Sequence, residues 1–183
     1  MERDLTEHRL RGEELFCGRV LRLHRDEVGL PDGTESVREV IRHDGAVCVI
    51  PLLADGRAVT VSQYRYAQGR VMREIPAGKL EKGEDPAACA LRELKEETGY
   101  RAGRLIPLGL YVGSPAILDE PIHMYAALDL TEGEANPDEG ELLEVEATPL
   151  RELVDAVLAG EIADGKTQVA VLRLYLMLSE GRL

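Results

Sequence analysis

Glu93, Glu96 and Glu97 stand at positions i, i+3 and i+4 of one stretch, residues 86–98. If that stretch is helical, the 3.6-residue period brings all three carboxylates to one face. Three crowded anions repel one another and weaken an isolated helix, a penalty that a bound divalent cation reverses. Hard cations such as Mg2+ take oxygen ligands and bridge a few carboxylates to substrate phosphates. There they neutralise phosphate charge, orient the phosphorus and acidify a water. Alone, a Glu-rich stretch reads as a solvated helical face, so the surrounding residues must decide.

The helix carries its own start and stop signals. Asp85 suits an N-cap and Pro86 a first helical residue, while Gly99 stands where a helix ends. Ala87, Leu91, Leu94 and Thr98 recur at helical spacing and are expected to form the buried stripe, with the glutamates roughly opposite. Strand-like alternation around residues 16–24, a Pro31-Asp32-Gly33-Thr34 turn and residues 37–42 predict a β-hairpin. The apolar run 46–53 reads as a strand buried on both faces, and the turn at Ala54-Asp55-Gly56-Arg57 returns the chain through 58–64. A shorter strand at 71–75 stops at Pro76-Ala77-Gly78. Further strands are expected at 105–112, 123–130 and near 142–147, and helices at 150–159 and about 167–179, with 131–141 a long acidic loop. This order suggests a mixed sheet flanked by helices.

Size and composition narrow the classes. A chain of 183 residues suits one domain with a small appendage. With 44% hydrophobic and 31% charged residues it reads as globular, and at 4% aromatic its core must rest on Val, Leu, Ile and Ala. No apolar run approaches the roughly 20 residues that span a bilayer. The charged N-terminus lacks the apolar centre of a secretory signal. Cytoplasm is the expected compartment, with no membrane partner. Cys17, Cys48 and Cys89 are odd in number and far apart, which points to reduced core residues rather than disulfides or a zinc site. A net charge of −12 disfavours nucleic acid as a partner but admits a small anion once cations shield its approach.

From Gly78 the chain reads GKLEKGEDPAACALRELKEETGY. This resembles the Nudix box, G-x5-E-x7-R-E-U-x-E-E-x-G-U with U a bulky residue. Gly78, Glu84, Arg92, Glu93, Glu96, Glu97 and Gly99 fill every fixed position, with Leu94 and Tyr100 at the U positions. At average residue frequencies such a match arises by chance on the order of 10⁻⁷ per chain, which displaces the solvated-face reading. The resemblance implies an α/β Nudix fold, an α/β/α sandwich with a mixed sheet over residues 43–183. The β-hairpin extension at 1–42 precedes it. It implies hydrolysis of a nucleoside diphosphate linked to another moiety, using Mg2+ or Mn2+ on the box helix. Glu93 and Glu97 then resemble direct metal ligands, Glu96 a third, direct or through water, and the Ala77 carbonyl a fourth. Arg92 is expected to reach Glu96 one turn on and hold the carboxylates in place. For Glu84 a structural and a metal-water role both stay open, while Gly78 and Gly99 serve backbone geometry.

Flanking residues resemble the ADP-ribose pyrophosphatase branch, in which QYR, EIPAG and an SPG-x-x-x-E segment recur. Here they read Gln63-Tyr64-Arg65, Glu74-Ile75-Pro76-Ala77-Gly78 and Ser114-Pro115-Ala116-Ile117-Leu118-Asp119-Glu120. Ala116 replaces the branch's usual glycine, and a positive φ there would strain the loop. The resemblance implies a nucleoside diphosphate sugar as substrate, ADP-ribose first and GDP-mannose as rival. A non-catalytic ligand sensor should lack box carboxylates or carry a DNA-binding domain, and this chain does neither. Arg65 is expected to grip phosphate or ribose oxygens rather than form a surface salt bridge. Glu74 contacts adenine or ribose, or caps a strand. Tyr64 and Tyr66 stack on a base or fill the core. Pro115 lines the substrate pocket or ends a strand, and Glu120 contacts substrate or metal or is solvated. The branch places its general base on a mobile loop after the SP segment, which favours Glu139, then Glu141, with Glu120 or Glu96 in reserve. The extension is too small to bury a core alone. In related enzymes it packs against a partner subunit, so a homodimer is expected.

Overall fold

The computed structural model describes residues 4–137 and 140–183. In chain order it contains β1 (His8–Cys17), β2 (Arg22–Gly29), β3 (Glu35–Arg42), β4 (Ala46–Pro51) and β5 (Arg57–Arg65). A 3-10 turn (Tyr66–Gln68) leads to β6 (Arg70–Glu74), β7 (Ala77–Lys79), α1 (Pro86–Thr98), β8 (Arg101–Val112) and β9 (Pro121–Thr131). β10 (Glu144–Pro149), α2 (Leu150–Leu158) and α3 (Gly165–Ser179) complete it. The chain forms two compact units: residues up to Asp44 with Val112–Glu120, and Gly45–Tyr111 with Pro121–Leu183.

The N-terminal unit is an antiparallel meander in the order β1-β2-β3. It has one strand more than the expected hairpin. The alternation around 16–24 hides a turn, closed where the Gly18 N–H donates to the Leu21 carbonyl at 2.8 Å. The second turn forms as its residues dictate, with Asp32 Oδ1 accepting from the Thr34 N–H at 3.0 Å. Asp26 on β2 is only 3% exposed. A buried carboxylate must be paired, and Arg9 Nε at 3.0 Å and Arg42 Nη2 at 2.6 Å pair it. Arg42 also donates to Asp119 at 3.0 Å, and the Ile41 N–H donates to the Ile117 carbonyl at 2.7 Å. The segment carrying Pro115 is thereby fastened to β3.

In the C-terminal unit β4 is buried on both faces. Its alternating side chains divide between two helical layers. Ala46, Cys48 and Ile50 pack with Leu150, Leu153 and Val154 of α2 and Ala170, Val171 and Leu174 of α3. Val47 and Val49 pack with Cys89, Ala90 and Leu94 of α1. The four-stranded sheet runs β7-β4-β9-β8, with β4 parallel to β9 and antiparallel to β7. This is the expected α/β/α sandwich around a mixed sheet. A second sheet runs β10-β5-β6. No helix among the described residues is long and apolar enough to cross a membrane.

α1 begins and ends where its signals place it. Asp85 accepts from the Ala88 N–H at 3.0 Å, and Gly99, at φ 78°, donates its N–H to the Lys95 carbonyl. The buried stripe differs from expectation. Cys89, Ala90, Leu94, Glu97 and Thr98 are buried, while Leu91 is 41% exposed. Counted from Ala90, positions i, i+4, i+7 and i+8 form the inner face, so Glu97 lies on it and not opposite. Leu94→Ala should therefore cost about 2–5 kcal/mol, and Leu91→Ala less than about 0.5 kcal/mol. Urea denaturation of the two variants checks this, and equal losses would contradict the register.

Candidate active site

Arg92 gathers three of the box carboxylates around one guanidinium. Its Nε and Nη2 grip Glu84 at 3.0 and 3.1 Å, and its Nη1 reaches Glu93 at 2.7 Å and Glu96 at 3.0 Å. This fork-shaped cation matches the geometry of the carboxylates it binds. The Arg92 contact, with the Glu81 N–H, holds Glu84 down to about 2. In this structure Glu84 is engaged by Arg92. At Glu93, burial outweighs the guanidinium and raises the pKa.

Glu97 is left out of this arrangement. It is 4% exposed, and its Oε2 is buried without a hydrogen-bond partner. Burial, reinforced by the carboxylates of Glu93 and Glu141, pushes it up to about 8, while an Ala77 backbone hydrogen bond and the Arg65 charge pull the other way. Ala77 and Gly78 lie on β7 beside α1. A Cβ on Gly78 would overlap the Glu93 carboxylate, so only glycine leaves that side chain its place. Among the described residues no three His, Cys, Asp or Glu side chains already form a cation cage. The orphaned, buried Glu97 oxygen is nevertheless a donor that suits an oxygen-seeking divalent cation. Glu93, Glu97, the Ala77 carbonyl and Glu96 are the residues present to hold one.

The acidic loop is anchored over the end of α1. The Asn136 N–H donates to the Glu96 carbonyl at 2.9 Å, and Gly133 and Ala135 pass so close to Gly99 that a Cβ there would strike their backbone. Glu141, farther along, is exposed and electrostatically felt by both Glu93 and Glu97. Glu139 lies outside the described residues.

A second charged group adjoins the box. Arg65, at the end of β5, forms a fork-to-fork pair with Glu74 at 2.7 and 2.8 Å. Glu74 is 2% exposed. Burial alone would raise its pKa, yet Arg65 and Lys166 together hold it below the ordinary carboxylate range. Lys166 and its neighbours Asp164 and Thr167 were not expected here. The signal was an Asp three residues before a Thr, a capping pattern one turn upstream of the expected helix start. Tyr64 and Tyr66 are 58% and 91% exposed, which removes the core role for both. Pro115 and Glu120 belong to the N-terminal unit, where His43 lies 3.4 Å from Glu120. Among the described residues only Asp129 combines a side chain with a positive φ, so Ala116 does not strain its turn.

Two predictions follow from the electrostatics. With Glu97 raised to about 8 in the metal-free fold, its stabilising contribution is present below its ordinary value near 4.5 and lost as pH rises toward 8. Glu97→Gln should flatten that decline in urea midpoints between pH 5 and 8, and an unchanged slope would contradict the assignment. Arg92→Lys keeps a charge but loses the fork. It should weaken divalent-cation binding about 10–100-fold, as read by Mn2+ titration.

The chain resembles known proteins over most of its length. The NUDIX domain profile matches residues 42–169. The chain is 44% identical to a methanol dehydrogenase activator of Bacillus methanolicus, over 96% of this chain and 95% of that one. It is 40% identical to an ADP-ribose pyrophosphatase of Bacillus subtilis (strain 168), over 98% and 97%. The crystal structure of an ADP compounds hydrolase superposes with a TM-score of 0.84 at 21% identity, covering 100% of both chains, a likeness of fold. A carboxylate helix of this register, on this sandwich, within a matching profile places the chain in the Nudix hydrolase family.

Proposed function

We propose that this enzyme hydrolyses the diphosphate of ADP-ribose to AMP and ribose 5-phosphate, with Mg2+ the expected metal and Mn2+ an alternative. The observation that carries the hydrolytic reading is the buried, partnerless Glu97 oxygen beside Glu93. The near-full-length likeness to an ADP-ribose pyrophosphatase supports the substrate. When bound, the cation supplies charge neutralisation at the diphosphate and acidifies the attacking water. Arg92 holds Glu93 and Glu96 in place, and Arg65 offers a guanidinium to a phosphate oxygen. A loop carboxylate takes the proton as the water oxygen attacks phosphorus and the bond to the bridging oxygen breaks. Glu141 has support from its electrostatic reach to Glu93 and Glu97. Glu139 remains its rival and Glu96 the reserve. Tyr64 is a further proposed substrate contact, and the same role for Pro115 and Glu120 rests on the sequence resemblance alone.

A homodimer is part of the same reading. β1 is an edge strand exposed along its whole length, carrying Leu10, Leu15 and Phe16 at 54%, 47% and 56% exposure. Such an edge is a template for a second chain. A second reading, favoured by the 44% likeness to a methanol dehydrogenase activator, is that hydrolysis serves to activate such a dehydrogenase.

A panel of nucleoside diphosphate sugars, assayed with and without Mg2+, tests the function. ADP-ribose should be cleaved fastest and only with the cation; faster cleavage of GDP-mannose would reassign the substrate. Within that assay Glu141→Gln or Glu139→Gln should lower kcat about 10²–10⁴-fold with KM little changed. A loss of only a few-fold in both would move the base to Glu96. Sedimentation showing a fully active monomer would remove the dimer.

A further inference from the structure

Asp164-Gly165-Lys166-Thr167 opens α3 and grips the end of β6. Asp164 accepts from the Thr167 N–H at 2.9 Å and from its hydroxyl at 2.5 Å, and Thr167 Oγ1 accepts from the Ile75 N–H at 2.9 Å. A Cβ on Gly165 would displace the Tyr111 hydroxyl that packs against this turn. From this first helical turn Lys166 Nζ reaches Glu74 Oε2 at 2.5 Å and Asp164 Oδ1 at 3.0 Å. The Lys166 side chain is 12% exposed.

Helix stability does not explain a lysine there. The N-terminal turn carries partial positive charge and disfavours a cation. A buried ammonium also loses hydration that only close anions restore. What Lys166 does accomplish is to complete the surroundings of Glu74. That carboxylate is gripped by Lys166 on one oxygen and by the Arg65 fork on both. Pinning Glu74 fixes the plane of the guanidinium, whose Nε and Nη2 are both engaged. Arg65 Nη1 makes no hydrogen bond among the described residues, and Arg65 is attracted by Glu97. Without the ammonium, Glu74 and Asp164 would lose the cation between them, and Glu74 would be held by the Arg65 fork alone, free to shift with it.

We propose that Lys166 is a positioning residue for the substrate. Acting through Glu74, it holds Arg65 so that Nη1 is presented to a phosphate oxygen of a nucleoside diphosphate. This rests on the hydrolase reading above, but not on ADP-ribose as the particular substrate. The test is a double-mutant cycle on the intact enzyme with Mg2+, using whichever nucleoside diphosphate sugar the wild type cleaves fastest. Lys166→Met should raise KM about ten-fold while kcat changes less than about two-fold, the split expected for lost binding. Lys166→Arg should return KM to within about two-fold of wild type, and Mn2+ affinity should stay unchanged throughout. In an Arg65→Ala background Lys166→Met should add less than about two-fold, because its effect passes through Arg65. If Lys166→Met does not fold, Lys166→Gln carries the same cycle. An equal rise in KM in both backgrounds, a fall in kcat with KM unchanged, or no rescue by arginine would overturn the proposal. A wild type that cleaves another sugar nucleotide but not ADP-ribose overturns only the substrate assignment. One that cleaves none overturns both.

Discussion

Glu97 sits on the inner face of α1 with one oxygen that nothing in the described protein satisfies. Keeping a buried carboxylate ionised costs several kcal/mol unless an opposite charge comes close. Burial and two neighbouring carboxylates all act against ionisation here. The protein could have neutralised the group with a nearby arginine, as it does for Glu84, Glu93 and Glu96. Leaving one Glu97 oxygen without a partner makes the apo fold less stable and, in the proposed function, reserves an oxygen donor for a cation. This is stability given up at a working site, a common pattern where local rules are broken.

The surrounding elements can be understood from that constraint. Arg92 absorbs the repulsion among the remaining carboxylates, so that α1 forms despite its acidic sequence. β7 passes close to α1, and a Cβ at residue 78 would displace the Glu93 carboxylate. The chain after β9 crosses the end of α1 over Gly99 and brings Glu141 within electrostatic reach of the box. On the Arg65 side, Glu74 and Lys166 keep a guanidinium close to the box while engaging it through only two of its nitrogens. Apart from Glu141, which lies on a loop, these features sit on strands and helices, the placement that holds a site to tight tolerance.

Much of this was legible in the residues. The caps of α1, the doubly buried β4 and the box spacing each rest on local rules, and the structure follows them. The stripe of α1 was misjudged because Leu91 looks more apolar than Ala90, and because a glutamate is not expected on an inner face. Sequence periodicity cannot anticipate a buried charge whose partner is not in the chain. The turn between β1 and β2 was missed because Gly18-Arg19-Val20-Leu21 carries one turn-forming residue within an alternating stretch. The Lys166–Glu74 pair joins positions 92 residues apart. Only the fold brings them together, so no spacing rule could reveal it.

The claim that Glu97 awaits a cation is tested most directly by counting protons. A group near 8 is largely protonated at pH 7, and a ligand must be ionised to bind metal, so binding should expel its proton. Calorimetric titration of Mn2+ at pH 7, repeated in buffers of different ionisation enthalpy, yields the number released. The account predicts a release approaching one proton per chain in the wild type and almost none in Glu97→Gln. Tight Mn2+ binding without proton release, or with a release unchanged by Glu97→Gln, would contradict it.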